Sequence, residues 1–318
     1  MKVIQNFSSG KHITQFPIFD IMIWIAGVNQ LKKLGYTTKL YCEKRDLDWL
    51  RHWHLFDLYD EIDTEVLASI NWDGIQQDKF WSVRKLYCIN HEMSLTAPTD
   101  FFYMDTDIIL MQPLQFINPQ NGEPCDLFVW SPDPYTKNSI YCDLRHLSTP
   151  PDYTMPTWFL NADLAFNCGI LYFRTRDIWQ TYFHEYLDFV IGNPCTFKIT
   201  PQADGEETLR NVWACNAEQR LLAGLARYKN WRLGAVMGEV GQGSCPVGIH
   251  FYIVRALWRQ QRRGAFKKYP DFNEEMTRTF CGTVRNIRNY ITDIQWEPFN
   301  ALPWAQAILN GDNSIRYQ

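Results

Sequence analysis

The chain has 318 residues, 46% hydrophobic and 15% aromatic, and a net charge of 31 − 35 = −4 from its Lys and Arg against its Asp and Glu. That suits one large globular α/β domain with additions, or two ordinary domains, and it provides no global field to draw nucleic acid. Nine scattered cysteines, odd in number and without a C-x-x-C pair, argue against a disulfide framework or structural zinc site, and no apolar run is long enough to span a bilayer, so a reduced, cytoplasmic protein is expected.

Lys2 to Phe7 is predicted as the first strand, running into Ser8-Ser9-Gly10, a small polar turn that is either an ordinary turn or a place where backbone approaches a ligand. Pro17 to Leu34 has Ile18, Ile21, Met22, Ile25 and Val28 at helical spacing, with Gly35 as its stop. Thr37 to Cys42 is predicted as a strand, Arg45 to Phe56 as a short helix, and Glu61 to Val66 as an exposed strand. A helix from Asp78 to Met93 is expected to turn Trp81, Leu86, Cys88 and Ile89 inward, before the strand Phe101-Phe102-Tyr103-Met104. Asp126 to Trp130 is the next strand, completing a strand and helix alternation that predicts a doubly wound sheet.

Ser131 to Leu160 interleaves five prolines with Tyr135, Tyr141, Tyr153 and Trp158, and is expected to be a functional loop on the acceptor side. Ala165 to Phe173 follows as an apolar strand and Asp177 to Val190 as a helix. Ala217 to Tyr228 is a predicted helix, Val247 to Tyr252 a strand after a glycine-rich turn (Gly238, Gly241, Gly243, Gly248), and the remainder is expected to be helical. The 13 Trp exceed what a core usually demands, and suit either a Trp-rich core or a surface that stacks on flat rings or sugar faces.

The segment FFYMDTD carries the most chemistry. Four large apolar residues in a row read as a strand buried on both faces, as in a parallel sheet covered by helices. In a strand, side chains two apart share a face, so Asp105 and Asp107 are expected to converge on one hard cation at the strand's carboxyl end, where open α/β sheets bind ligands. Mn²⁺ or Mg²⁺ held there would keep positions open for diphosphate oxygens. His250, ending a short apolar strand, is either a core histidine or a third ligand, and beside the aspartates the ligand reading is favoured.

Four segments, taken together, resemble the metal-dependent glycosyltransferases of the GT-A fold, in particular the glycogenin-like and lipopolysaccharide galactosyltransferase-like retaining families. They are FFYMDTDIIL with Pro113-Leu114, Phe166-Asn167-Cys168-Gly169-Ile170-Leu171, Ala217-Glu218-Gln219-Arg220-Leu221-Leu222, and Ile249-His250-Phe251. Their order and rough spacing agree across about half the chain, residues 100 to 258. The resemblance implies a GT-A (Rossmann-like) α/β fold with a mostly parallel central sheet flanked by helices. The expected division is a catalytic domain over 1–254 and a C-terminal helical extension over 255–318, in which the residues from about Asp271 onward match no part of those families and are read as an accessory helical region. It also implies a UDP-sugar donor, Mn²⁺ or Mg²⁺ as cofactor, a saccharide or glycolipid acceptor, and transfer with retention of configuration.

Residue by residue, the resemblance nominates Asp105, Asp107 and His250 for the metal, with Asp105 reaching it through water or binding ribose hydroxyls. Asn161, Asp163 and Asn167 would line the donor sugar, Glu218 and Gln219 would lie across it, and Lys85 would contact donor phosphate or sugar. Gln219 or Asp163 would stand near the reacting carbon. Glu218 occupies a position where these families carry Asp, and Asn167 and Lys85 are also compatible with a purely structural amide and a solvated lysine. An inverting enzyme would need a carboxylate base, for which Asp163, Asp152 or Glu218 could serve.

Arg255 to Lys268 holds six basic residues and no acid beside Trp258 and Phe266, a stretch that is either a solvated helix face, a patch closing over diphosphate, or a peripheral contact with the inner face of an anionic membrane. Two other functions share parts of the pattern. A haloacid-dehalogenase-type phosphotransferase also places D-x-D after an apolar strand, and a non-catalytic carbohydrate-binding protein on the same scaffold would account for the aromatic loop.

Overall fold

The computed structural model describes residues 1–9, 18–118, 121–134, 141–199, 206–237, 244–245, 247–251 and 270–312. Its strands are β1 (Lys2–Phe7), β2 (Thr37–Cys42), β3 (Glu61–Asp63), β4 (Phe101–Met104), β5 (Ile108–Leu110), β6 (Leu127–Pro134), β7 (Leu164–Phe173), β8 (Leu233–Ala235), β9 (Ser244–Cys245) and β10 (Gly248–His250). A seven-stranded sheet has the order β3-β2-β1-β4-β7-β6-β8, and a three-stranded sheet the order β5-β10-β9. The large sheet is mostly parallel, with β1 parallel to β4 and β6 parallel to β8, while β7 runs against both β4 and β6. Between β6 and β7 the described residues hold a 3₁₀ turn and a four-residue helix, with no long crossover helix of the kind that usually joins parallel neighbours.

The chain divides into two units, one built from Met1–Asn6, Asp63–Met104 and Leu114–Gln242, the other from Phe7–Ile62, Asp105–Pro113 and Gly243–Gln318. In the first, β4 is buried at all four positions and β7 at eight of ten, as expected for strands covered on both faces. Helix α3 (Val83–Leu95) buries Leu86, Cys88 and Ile89, but it starts later than the sequence suggests, and Trp81 lies before it, 38% exposed. Phe80, fully buried, takes the inward place expected of Trp81. After a short α4 (Thr157–Leu160), α5 (Arg176–Val190) sets Trp179 edge-on to Phe173 of β7 with ring centroids 5.0 Å apart. Trp24, Trp130, Trp179 and Trp213 are all fully buried, so part of the tryptophan excess is core.

Regular elements take the two ends of the stretch from Ser131 to Leu160, and the described residues between them are mostly loop, as expected. β6 runs to Pro134, a 3₁₀ turn forms at Leu144–His146, and α4 closes the segment, with residues 135–140 outside the described part. The predicted helix from Ala217 also differs, because α6 (Glu206–Cys215) leads through a π turn at Asn216–Arg220 into α7 (Leu221–Tyr228).

In the second unit, α1 (Ile18–Lys33) buries twelve of its sixteen residues, so it is a core helix rather than an amphipathic one. Gly35, at φ 82°, ends it: the N–H of Gly35 donates to Lys32 O and that of Tyr36 to Leu31 O, a paired closure that requires a left-handed residue. The expected helix from Arg45 to Phe56 is interrupted. A 3₁₀ turn (Lys44–Asp46) leads into α2 (Leu47–His52), and His54 at φ 55° ends it before a second 3₁₀ turn at Phe56–Leu58. The C-terminal region is helical as expected, over Pro270–Arg288, Asp293–Asn300 and Pro303–Leu309. It packs on α1, where the Asn29 amide donates to Tyr290 O at 2.8 Å and to Gln295 Oε1 at 2.7 Å.

Candidate metal centre

Asp105, Asp107 and His250 each turn one donor atom to a common point, and those atoms all lie within 4.8 Å of one another. Asp107 is 6% exposed, His250 is 5% exposed, and Asp105 is half-buried. His250 Nε2 lies 3.3 Å from Asp107 Oδ1. Trans ligands of a cation bound at about 2.1 Å stand about 4.2 Å apart, so three donors in this span can meet one ion with small side-chain adjustments. Two carboxylates and an imidazole make a donor set that a divalent cation could take. Among the described residues this is the group of three or more acidic, histidine and cysteine side chains arranged so that a metal ion could be held.

The aspartates do not reach this point by sharing a strand face. β4 ends at Met104, and Asp105 and Asp107 occupy the turn that leads into β5. Strand pairing brings in the histidine: β10 runs antiparallel to β5 with His250 opposite Ile108, and the Phe251 N–H donates to Asp107 O at 2.9 Å. Behind the turn, α1 approaches so closely that a Cβ on Gly27 would stand 2.7 Å from Ile108 O. A glycine is therefore required at that crossing.

In the same unit the Ser8 hydroxyl donates to Glu43 and the Ser9 hydroxyl to Asp46, with the Ser9 N–H 3.3 Å from Asp46 Oδ2. The turn that the sequence opens toward a ligand is thus tied to the acidic residues after β2. Burial pushes the Asp46 carboxyl up, and the bonds from Ser9 pull it back in part. Gly10 and the basic segment 255–268 lie outside the described residues, as does the expected domain boundary at 254/255.

In the first unit the candidates take different positions. Glu218 has no exposed surface, and the buried Lys85 ammonium lies 2.9 Å from its Oε1, 3.0 Å from Cys168 O and 4.8 Å from the centre of the Tyr103 ring. A buried charge pair held by a further hydrogen bond is what a carboxylate and an ammonium need when both leave water. Lys85 is accordingly neither solvated nor at a surface. Gln219, half-buried on the π turn, accepts from the buried Tyr141 hydroxyl, and Arg220 donates to Cys142 O and Ala162 O. These bonds fasten the proline-rich stretch onto the π turn. Asn167, at a bulge of the β6/β7 pair, accepts the Gly169 N–H at 3.0 Å.

Asp163 and Asn161 are exposed. Asp163 pairs with Arg227 at 2.8 Å on the rim of a cleft of about 800 Å³, and Asn161 lines the same cleft. Sequence reasoning missed the Lys85–Glu218 pair and the cleft. The first has no local signal; the second does, because Lys229-Asn230-Trp231 after an apolar helix is a recognisable helix end.

No family model and no curated protein matches the chain. Among solved structures it is similar to 4-diphosphocytidyl-2C-methyl-D-erythritol synthase from Anaerococcus prevotii, with 10% identity over 77% of this chain and 93% of that one, at a TM-score of 0.35. At that score the likeness assigns neither family nor activity. Among the described residues no helix is long and apolar enough to cross a membrane.

Proposed function

We propose that this chain is a metal-dependent glycosyltransferase, moving a sugar from a nucleoside-diphosphate donor, with UDP as the carrier, to a saccharide or lipid-linked acceptor with retention of configuration. One observation carries the reading: two carboxylates and an imidazole from separate parts of the chain converge within 4.8 Å. The order of the four segments that resemble GT-A enzymes supports it further.

A divalent cation bound there would offset the negative charge that develops on a departing diphosphate. Asp107 and His250, both buried and backed by β5 and β10, would hold it directly. Asp105, half-buried in the same turn, would act through water or accept from ribose hydroxyls. Ser8 and Ser9 would fix the acidic turn at Glu43–Asp46 rather than offer free backbone. Of the pair at the π turn, Gln219 keeps surface and is assigned to the donor sugar with Asn167. Glu218 and Lys85 are assigned to positioning, because a carboxylate with no exposed surface touches no substrate.

The test is calorimetry of UDP with and without Mn²⁺, followed by release of UDP from a panel of UDP-sugars. Binding of UDP that strengthens with Mn²⁺, and turnover of at least one donor, are expected. UDP binding indifferent to Mn²⁺, or phosphatase activity without sugar transfer, would overturn the reading. The anomeric configuration of the product by NMR then tests retention.

A further inference from the structure

The cleft in the first unit lies between α4, the start of β7 and the end of α7. Small residues of α7, Ala223, Gly224 and Ala226, form part of its lining. At Gly224 the packing is close, since a Cβ there would stand 3.2 Å from Ala162 Cβ and 3.3 Å from Trp158 Cε3. Its walls come from aromatic residues held in place by neighbours. Tyr228, 56% exposed, lies near-parallel to Trp158 at a centroid distance of 5.8 Å and an angle of 15°, with the Lys229 ammonium 5.3 Å from its ring.

The end of α7 supplies the third ring. Asn230 takes the left-handed conformation at φ 54°, its N–H donates to Arg227 O, and the Trp231 N–H donates back to Ala226 O. This closure folds Trp231 onto the last turn of the helix, where it lines the cleft. The rim is polar: the Asn161 and Asn230 amides and the Arg227–Asp163 ion pair, whose charges cancel.

We propose that this cleft is a carbohydrate-binding site that takes a neutral saccharide, independently of any metal or nucleotide. Its volume lies in the range of ligand sites, about 300–1,000 Å³. Pinned aromatic rings offer flat apolar surface to the C–H face of a pyranose at little entropic cost, and the amides and ion pair offer donors and acceptors to its hydroxyls. Among the described lining residues the arginine, Arg227, already answers Asp163, which leaves the Lys229 ammonium over Tyr228 as the nearby cation and gives no fork of arginines for a phosphate. The inference goes beyond the transfer reaction, since it requires only that the chain hold a glycan.

The test uses the full chain in EDTA without nucleotide, titrated with short neutral gluco-, galacto- and manno-configured oligosaccharides and followed by tryptophan fluorescence and calorimetry. Saturable binding of at least one is expected, weakened about tenfold by Trp231→Ala. Asn230→Gly keeps the left-handed turn, removes only the amide, and is expected to weaken binding less. No binding across the panel overturns the proposal. So does binding unchanged in both folded variants, or a response to uridine or inorganic phosphate in place of sugars. A parallel UDP titration with Mn²⁺ separates the two proposals, since glycan binding without metal-dependent UDP binding would defeat only the transferase reading, and the reverse only the cleft.

Discussion

Two buried carboxylates, Asp107 and Glu218, stand in different units and meet different partners. Glu218 is fully buried with the Lys85 ammonium 2.9 Å away, so the protein itself supplies the counter-cation. Asp107 lies 3.3 Å from an imidazole, with a second aspartate close by, an arrangement that gathers donors. The first is the arrangement of a structural ion pair and the second that of a cation site. A D-x-D triplet and a Glu-Gln pair look equally chemical on paper; the charge placed opposite each decides what it can do.

The comparison breaks most sharply if the metal centre is removed. Asp107→Asn is expected to lower turnover about a thousandfold and abolish the Mn²⁺ dependence of UDP binding, with thermal unfolding little changed. A variant that retains metal-dependent binding would show that the cluster is not the cation site.

Next in size is the ion pair. Lys85→Met leaves Glu218 buried without its partner and is expected to destabilise the fold by about 3–5 kcal/mol in urea titrations. Lys85→Met with Glu218→Gln should recover most of that loss, because no uncompensated charge is left inside. If the single variant is as stable as the parent, the pair is not structural and Glu218 returns as a candidate for catalysis.

Gly27→Ala sharpens the comparison from behind the metal centre. The new methyl would meet Ile108 O, next to Asp107, so a loss of about 1–3 kcal/mol and weaker Mn²⁺ binding are expected together. Loss of stability with metal affinity intact would show that α1 does not set the turn.

The smallest effect belongs to a surface pair. The Arg232 guanidinium, hydrogen-bonded to Asp126, holds that carboxyl below its usual range. A depressed acid contributes stability above its unfolded pKa of about 3.9 and loses it as pH falls through the lower folded value. Asp126→Asn should therefore lower the urea midpoint slightly near neutral pH and leave it unchanged in strong acid. An equal shift at both pH values would assign the effect to packing instead.

Much of the scaffold was legible in the chain. The all-apolar run Phe101–Met104, the strands Lys2–Phe7 and Thr37–Cys42, and the stop at Gly35 are local features, and local burial and turn geometry fix them. The displaced start of α3 and the break at His54 were not legible, because side-chain packing and one left-handed residue override helical propensity there. At the site, residue types and order pointed to Asp105, Asp107 and His250, but the route by which they meet was misread: a turn and an antiparallel strand, not one strand face.

The sequence by itself determined which segments must be buried, where helices can stop, and which side chains are available as metal donors, since these follow from periodicity and from the chemistry of each residue. Only the tertiary structure decided that β10 lies against β5, so that His250 arrives at Asp107, and that Lys85 answers Glu218. Both pairings join residues far apart in the chain, and such contacts are chosen by the packing of whole elements rather than by any local preference.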